Sequence, residues 1–358
     1  MSLSSLKYKP NDSPHIIIVA YHVLPFTKLW GAAQRMHYLS EHLIENNYDV
    51  TIMGADFGTS NYSGKKLNYR SIGIKIKPTL IQKYQETFQR SNSDLKVSIN
   101  KNQSFNFTGI IKRLLKPLYL FFEKLFFNDF AYYGFLSYFW ELSARKKVLK
   151  EIKLNNTKTV IISGPYFGVF KISKAIKRTN EGIKIILDYR DPWNLLKKGS
   201  FVSKLKEKTY LSLADQVVMF SDRFKDDMMK KFSLPEDKCL TVYNGYDSDL
   251  WDKIEEEFKN NDIRKNKDKF IISYISSNIS FKKGTPRDPR NLIKAVSNMN
   301  NSNKVLLNII GCIDTPNNNE FSNYDFDLNL SLFVTHEKAL KIMSESDIVV
   351  ILSTEKTD

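Results

Sequence analysis

Cysteine is scarce in this sequence, with two residues, Cys239 and Cys312, in a chain of 358. They lie far apart, and Cys312 follows an apolar run, so a disulfide framework is excluded and a reducing compartment is expected. Histidine is also rare, at five residues. Because His22, His37 and His42 lack metal-ligand spacing, the sequence predicts no metal site.

Long apolar runs are missing as well. No run is long enough to cross a bilayer, and the N-terminal stretch MSLSSLKYKPNDSP is too polar for a secretory signal. These absences predict a cytoplasmic protein.

Acidic residues are fewer than basic ones, 39 against 54, which gives a formal net charge of +15. This excess favours an anionic partner such as a nucleotide phosphate, an acidic membrane face or a nucleic acid. No basic helix with base-reading polar residues and no ribonucleoprotein-type motif accompanies it. We therefore expect no nucleic-acid partner.

The length of the chain indicates two domains, and a hydrophobic content of 42% is enough to fill both cores. The first, residues 1–246, begins with a buried strand at 15–21 and helical spacing from Gln34 onward. Further strands are predicted at 49–53, 159–163, 183–187, 214–220 and 239–243. Six strands alternating with helices predict a doubly wound α/β domain.

A second alternating series follows the charged stretch at 252–269, which is expected to be a solvated linker or an exposed helix. Strands are predicted at 270–275, 304–310, 328–334 and 347–352, and helices at 289–299 and 336–344. The predicted architecture is thus α/β, with two Rossmann-like doubly wound domains facing a cleft. Because the domain at 247–358 offers about four strands and its last strand has no covering helix, we expect it to be incomplete.

An aromatic and basic insertion occupies about residues 105–145 of the first domain. Aromatic residues crowd 110–140, interrupted by basic residues from Lys112 to Lys124. The composition fits an interfacial helix on anionic lipid or a lid over an acceptor site. Packing against the first sheet is the alternative.

The loops that follow strands are the candidate functional sites, because doubly wound sheets bind ligands at the carboxyl ends of their strands. Gly31, Ala32 and Ala33 form a small-residue turn at the head of the first helix. Backbone N–H groups there can approach an anion, and the helix dipole favours phosphate. Small residues that merely begin a helix are the alternative.

The segment DYRDPW, which starts at Asp188, places two carboxylates around one arginine at the end of a buried strand. This composition suits a cleft better than a core. We predict that Asp191 acts as a base or orients a hydroxyl and that Arg190 stabilises negative charge on a phosphate. Asp188, Tyr166 and Trp193 are the predicted acceptor contacts. A salt-bridged turn that locks the domain is the alternative.

Basic side chains crowd the loop after the first strand of the second domain, from Lys282 to Arg290. A loop in that position opens onto the predicted cleft, so it is a candidate cradle for a diphosphate. Lys282, Lys283 and Arg287 are the predicted donor-binding residues of the loop, and Asn244 is predicted to join them. A solvated charge run is the alternative.

Seven segments, in this order, resemble retaining GT-B glycosyltransferases of family 4, which use nucleotide sugars: IIIVAYHVLPFTKLWGAAQRMHYLSEHL, IISGPYFGVFKISKAI, IILDYRDPW, ADQVVMFSDRFKDDM, VYNGYDSDLW, SYISSNISFKKGTPRDPRNLIKAV and THEKALKIMSESDIVVIL. The resemblance covers most of the chain outside about 70–156. Many relatives have His-Asp where this chain has Arg190 and Asp191, and the pair is similar to a branch with an Arg-Asp-Pro-Trp signature.

The resemblance implies transfer of a sugar from a UDP- or GDP-type donor to a hydroxyl of a cell-envelope, capsule or other surface glycan. It implies that Gly31 and Arg35 lie beside the donor phosphates, and that Lys283 and Arg287 neutralise the leaving nucleoside diphosphate. No metal or other cofactor is required. The anomeric configuration would be retained, and the enzyme would work on a lipid-linked or other acceptor, peripherally bound to the inner face of the plasma membrane.

The sequence departs from the family in three places. The first loop has one glycine where relatives carry several, and Ser276-Ser277 stand where a glycine is usual. A pair of glutamates that binds the donor in relatives would fall after Ser353, where Glu355 is the one remnant. A second hypothesis is therefore a non-catalytic or truncated transferase-like binding protein.

Overall fold

The computed structural model describes residues 13–27, 30–57, 67–75, 135–179, 182–195, 201–260, 268–282, 285, 287–314, 321, 324–332 and 334–352. The chain divides into two compact units, Met1–Gly245 and Tyr246–Asp358. Each unit contains one sheet, and every strand pair in both sheets is parallel. The predicted α/β class is confirmed.

The first unit contains a seven-stranded sheet. Its strands in chain order are β1 (His15–Ala20), β2 (Asp49–Asp56), β3 (Arg70–Lys75), β4 (Thr159–Gly164), β5 (Lys184–Tyr189), β6 (Gln216–Met219) and β7 (Cys239–Thr241). The spatial order is β3-β2-β1-β4-β5-β6-β7. The prediction of six strands was wrong, because β3, with the sequence RSIGIK, was not recognised. It is a short edge strand with charged ends, so it lacks the apolar run that marks a buried strand.

Helices cover both faces of this sheet. They are α1 (Trp30–Glu45), α2 (Phe135–Leu154), α3 (Lys171–Thr179), α4 (Phe201–Leu213) and α5 (Asp222–Phe232), and a short 3₁₀ turn at Phe167–Phe170 precedes α3. Successive residues of β1 point to opposite faces, so Ile18 packs with α1 and Ile17 packs with the layer of α2 to α5. Every residue of β1 is therefore buried.

The predicted turn before α1 does not exist as a separate element. The helix begins at Trp30 rather than near Gln34, so Gly31, Ala32 and Ala33 form its first turn. The small residues thus still lie at a helix N-terminus, but as part of the helix.

Most of the predicted aromatic insertion, residues 105–134, lies outside the described residues. Its last part belongs to α2. Trp140 is fully buried there, and its indole N–H donates a hydrogen bond to the carbonyl oxygen of Ile74 at 3.1 Å. At Trp140, packing against the sheet was thus the correct alternative.

The second unit contains a four-stranded sheet in the order β10-β9-β8-β11. Its elements in chain order are α6 (Ser248–Asn260), β8 (Phe270–Ile279), α7 (Arg290–Ser297), β9 (Val305–Cys312), β10 (Asp327–Ser331), α8 (His336–Glu345) and β11 (Ile348–Val350). Ser276 and Ser277 belong to β8, where the register with β9 shifts between Ile275 and Ile279, so the strand extends beyond its predicted end at residue 275. The start of the charged stretch at 252–269 is helical. The incompleteness of this domain stays a prediction.

No helix among the residues described here is long and apolar enough to span a bilayer.

Candidate functional site

The first sheet has a topological switch point between β1 and β4. The chain leaves β1 for β2 on one side, whereas β4 lies on the other side of β1. Doubly wound sheets bind ligands outside the carboxyl ends of the strands at such a point. The loops that follow three neighbouring strands begin at this edge. His22 follows β1, Tyr166 follows β4, and Arg190 and Asp191 follow β5, the neighbour of β4.

A buried ion pair between Arg35 and Asp188 joins α1 to β5. The Arg35 guanidinium donates to Asp188 Oδ1 from Nη2 at 2.9 Å and from Nε at 3.1 Å. The second carboxylate oxygen accepts a hydrogen bond from Ser163 Oγ at 2.7 Å. Hydrogen bonds between charged groups are stronger than those between neutral groups, particularly where the groups are shielded from water. Asp188 is therefore the anchor of Arg35, and its predicted contact with an acceptor stays a prediction.

Arg35 also holds the segment that follows β7. Its Nη1 donates to Asn244 Oδ1 at 3.0 Å and to the Tyr243 carbonyl oxygen at 3.3 Å. Two residues that the sequence assigned to the donor, Arg35 and Asn244, are thus in direct contact. The chain separates them by more than 200 positions, and no sequence pattern indicated this contact.

Arg190 links the segment after β5 to the first turn of α1. Its Nη1 donates a short hydrogen bond to the Ala32 carbonyl oxygen. Burial lowers the pKa of Arg190, while the nearby carboxylates of Asp191 and Asp188 oppose that shift and Arg35 adds to it. Two guanidinium groups therefore share a partly desolvated site, which favours an added anion.

Space is open above this turn. Apart from its two chain neighbours, no heavy atom of the described residues lies within 4 Å of a Cβ atom built on Gly31, and the residue is exposed. The absence of a side chain leaves the backbone accessible beside Arg190. The structure thus brings Gly31 together with the arginines predicted to bind phosphate.

Asp191 is a half-buried carboxyl group next to Arg190. Burial raises its pKa, and the positive charge of Arg190 opposes the shift. A carboxylate with a raised pKa is a better proton acceptor than an exposed one and is typical of functional sites. This environment suits the predicted role of Asp191 as a base.

Tyr21 and His22 contact Tyr166 beside the candidate site, and neither was predicted as a site residue. The His22 ring stacks on Phe57 at 4.8 Å between centroids and lies 5.5 Å from the Tyr166 ring. Burial, helped by the charge of Arg190, lowers the pKa of His22 to about 4, so the ring is neutral at physiological pH. The one sequence signal was its position directly after β1, at the end of a buried strand.

Trp193 does not lie in the site. It is 1% exposed and stacks on Phe167, with ring centroids 5.2 Å apart. The prediction of an acceptor contact for Trp193 was wrong, because its indole packs in the core. Tyr166, by contrast, is half-buried beside Tyr21 and His22, and its predicted acceptor contact stays a prediction.

The second sheet also has a switch point, between β8 and β11, and the predicted basic loop starts there. Asp314 fixes the beginning of the loop by accepting hydrogen bonds from Ser280 Oγ at 2.6 Å and from the Phe281 N–H at 2.7 Å. Arg290 fixes its end through Asp288 at 2.8 Å. Polar contacts thus anchor both described ends of the loop.

The predicted donor residues of this loop have different surroundings. The Lys282 side chain is exposed, and Arg287 is half-buried close to Tyr274. Burial raises the pKa of Tyr274, and the charge of Arg287 opposes this shift. Lys283 lies outside the described residues. Across the described parts of both units, no cluster of three or more His, Cys, Asp or Glu side chains is placed to hold a metal.

The fold is α/β with GT-B glycosyltransferases as structural neighbours. The catalytic domain of starch synthase IV from Arabidopsis thaliana, bound to ADP and acarbose, superposes with a TM-score of 0.58 at 12% identity over 95% of this chain and 78% of that one. The E. coli trehalose-6-phosphate protein bound with UDP-2-fluoro glucose gives 0.56 at 10% identity over 96% and 79%.

The N-terminal domain of Candida albicans trehalose-6-phosphate phosphatase gives a TM-score of 0.55 at 12% identity over 97% of this chain and 78% of that one. No family model matches the sequence, and no curated protein matches it. At these identities the likeness establishes the fold alone.

Proposed function

We propose that this protein is a glycosyltransferase that uses a nucleotide sugar as donor. The observation that carries the proposal is the cluster of Arg35, Arg190, Asp188 and Asp191 at the switch point of the first sheet. Two arginines with a vacant approach over Gly31 suit an anionic ligand, and a half-buried Asp191 suits proton transfer. The ligands of the similarly folded proteins, ADP and UDP-2-fluoro glucose, support a nucleotide donor.

In this proposal the donor is a UDP- or GDP-type sugar. Lys282, Lys283 and Arg287 are the proposed diphosphate-binding residues of the second unit. Gly31, Arg35 and Asn244 are the proposed donor-binding residues of the first unit. Arg190 stabilises the negative charge that grows on the leaving phosphate. No metal or other cofactor takes part.

The acceptor is a hydroxyl of a surface glycan, held near Tyr166 and Asp188 at the inner face of the plasma membrane. The bond between the anomeric carbon and the leaving phosphate oxygen breaks as the acceptor oxygen bonds to the same face of that carbon. The acceptor proton passes to the leaving phosphate, so the anomeric configuration is retained. Asp191 orients the hydroxyl or assists removal of its proton.

Calorimetric titration of the full chain with UDP, GDP, ADP and their sugar conjugates tests the donor site. We expect one base to bind in the micromolar range. Arg287→Ala should weaken that binding by about 1.5 kcal/mol or more, the value of a lost charge-assisted hydrogen bond.

Lys304→Ala is the matched control, because Lys304 is exposed in the same unit but stands before β9, away from the switch point. It should leave the affinity unchanged. Absence of binding by every nucleotide would contradict the proposal and favour a non-catalytic protein. Equal affinities of wild type and Arg287→Ala would remove the basic loop from the donor site.

A further inference from the structure

One helical layer of the first unit is strongly basic. Helices α2, α3 and α4 pack in sequence on the same face of the sheet. They carry five, four and three Lys or Arg residues, against three glutamates in all. Glu141 and Glu207 are buried, and Glu151 is ion-paired with Arg70 at 2.6 Å. The charge that this layer presents to solvent is therefore almost entirely positive.

Bulky apolar side chains stand out of the same layer. Phe201 is 81% exposed and Leu205 is 55% exposed. Four residues apart on α4, they lie on one stripe of the helix with Lys208, and Lys204 is beside them. The opposite side of α4 packs into the core through Tyr210. Apolar anchors flanked by lysines on one helix face are typical of an interfacial membrane helix.

Basic groups of α3 and α4 approach each other where the two helices pack. The charge of Lys171, at the start of α3, adds to burial in lowering the pKa of Lys206, which places the two side chains near each other. Lys174, one turn further along α3, is exposed. Helices that follow parallel strands begin at the carboxyl edge of the sheet. Phe201 and Lys171 thus lie toward the edge that carries Arg190.

We propose that Phe201, Leu205, Lys174, Lys204 and Lys208 form a docking surface for a bilayer that contains anionic phospholipid. The apolar pair enters the boundary between headgroups and acyl chains, and the lysines contact lipid phosphates. A single-stranded nucleic acid matches the charge and the ring of Phe201, whereas Leu205 offers it neither a hydrogen bond nor a stacking face. The proposal deepens the membrane part of the proposed function and assigns it to α3 and α4.

Vesicle cosedimentation of the full chain tests this surface. The wild type should bind phosphatidylcholine vesicles that contain about 30 mol% phosphatidylglycerol and should not bind pure phosphatidylcholine. The double change Phe201→Ser with Leu205→Ser should weaken binding at least about tenfold, because the apolar anchors are lost. Lys204→Glu with Lys208→Glu should also weaken it at least about tenfold.

Matched controls lie in the second unit. Leu332→Ser removes an apolar side chain whose exposure lies between those of Leu205 and Phe201, and Lys294→Glu with Lys304→Glu reverses two exposed lysines. These variants should bind vesicles as the wild type does. Thermal melting shows whether each variant folds, and nucleotide titration without vesicles shows whether the donor site is intact, so failure of the surface and failure of the proposed function are distinguishable.

Three results would overturn the docking surface. One is no wild-type preference for anionic vesicles. Another is unchanged binding by both double variants. The third is that the wild type binds single-stranded RNA but not vesicles, and that the same double variants abolish the RNA binding.

Discussion

At the scale of the residue, Asp188 is the centre of the candidate site because its carboxylate neutralises Arg35 away from water. Asp188→Asn leaves the Arg35 charge buried with a weaker partner. We expect this change to lower the free energy of unfolding by about 3 kcal/mol. Urea unfolding of the wild type and the variant measures it.

Glu45→Gln is the control for Asp188, since Glu45 pairs with His42 at 3.9 Å on the exposed end of α1. We expect a change of less than about 0.5 kcal/mol there. Equal effects of the two substitutions would contradict the anchoring role of Asp188.

At the scale of the element, α4 is tied to the segment after β5 by the buried carboxyl group of Glu207. Asn194 Nδ2 donates to it at 2.8 Å, and Ser203 Oγ donates to Asn194 Oδ1 at 2.8 Å. Burial raises the pKa of Glu207 to about 7. Below about pH 7 the neutral form is therefore favoured in the folded state.

This shift makes a signed prediction about pH. Unfolding releases the proton of Glu207 between its ordinary pKa and about 7, so its contribution to stability is present at low pH and declines as the pH rises through that window. Glu207→Gln can keep the hydrogen bond and has no proton to lose. It should match the wild type near pH 4.5 and exceed it by about 3 kcal/mol above pH 8. Urea unfolding at both pH values measures this difference. Equal free energies of unfolding of wild type and Glu207→Gln at both pH values would contradict the raised pKa of Glu207.

The first turn of α1 gives a second prediction at this scale. Gly31→Ala meets no atom within 4 Å, so it should stabilise the helix by up to about 1 kcal/mol. Gly31→Phe should fold as well, but its ring fills the space above the turn. We expect it to weaken nucleotide binding at least about tenfold, through loss of close approach by a phosphate.

Lys153→Phe provides the control for Gly31→Phe, because Lys153 is exposed in the last turn of α2, away from the carboxyl edge of the sheet. Lys153→Phe should leave nucleotide affinity unchanged. Calorimetry and thermal melting of the Gly31 and Lys153 variants measure the two effects. Normal affinity in Gly31→Phe would show that no ligand occupies the space above the turn.

At the scale of the whole molecule, most strands could be predicted from the sequence, because strands buried on both faces of a parallel sheet are continuous apolar runs. HIIIVA and TVIISG are of this kind. The short edge strand β3 carries no such run. The contacts of Arg35 with Asp188 and Asn244 could not be predicted either, because they depend on how segments distant in the sequence pack together.

In the candidate site, too, the local sequence predicted which segment carries charged residues, but it did not predict which side chains face the core. The polar composition after β5 predicted a site at Arg190 and Asp191, because charges at a strand end need partners, and the functional roles of both residues stay predictions. The same local argument predicted an acceptor contact for Trp193, whose indole is buried in the core, and gave no reason to single out His22. An aromatic ring next to a cleft segment can face either the cleft or the core, and burial decides which.

Turnover tests the central claim most directly. The measurement is release of nucleoside diphosphate from the bound nucleotide sugar by the wild type and by Asp191→Asn, with donor affinity measured in parallel. We predict turnover by the wild type and, in the variant, a loss of about 100-fold or more with affinity within a few-fold. Donor binding without turnover by the wild type, or full turnover by Asp191→Asn, would contradict a catalytic site at the carboxyl edge of the first sheet.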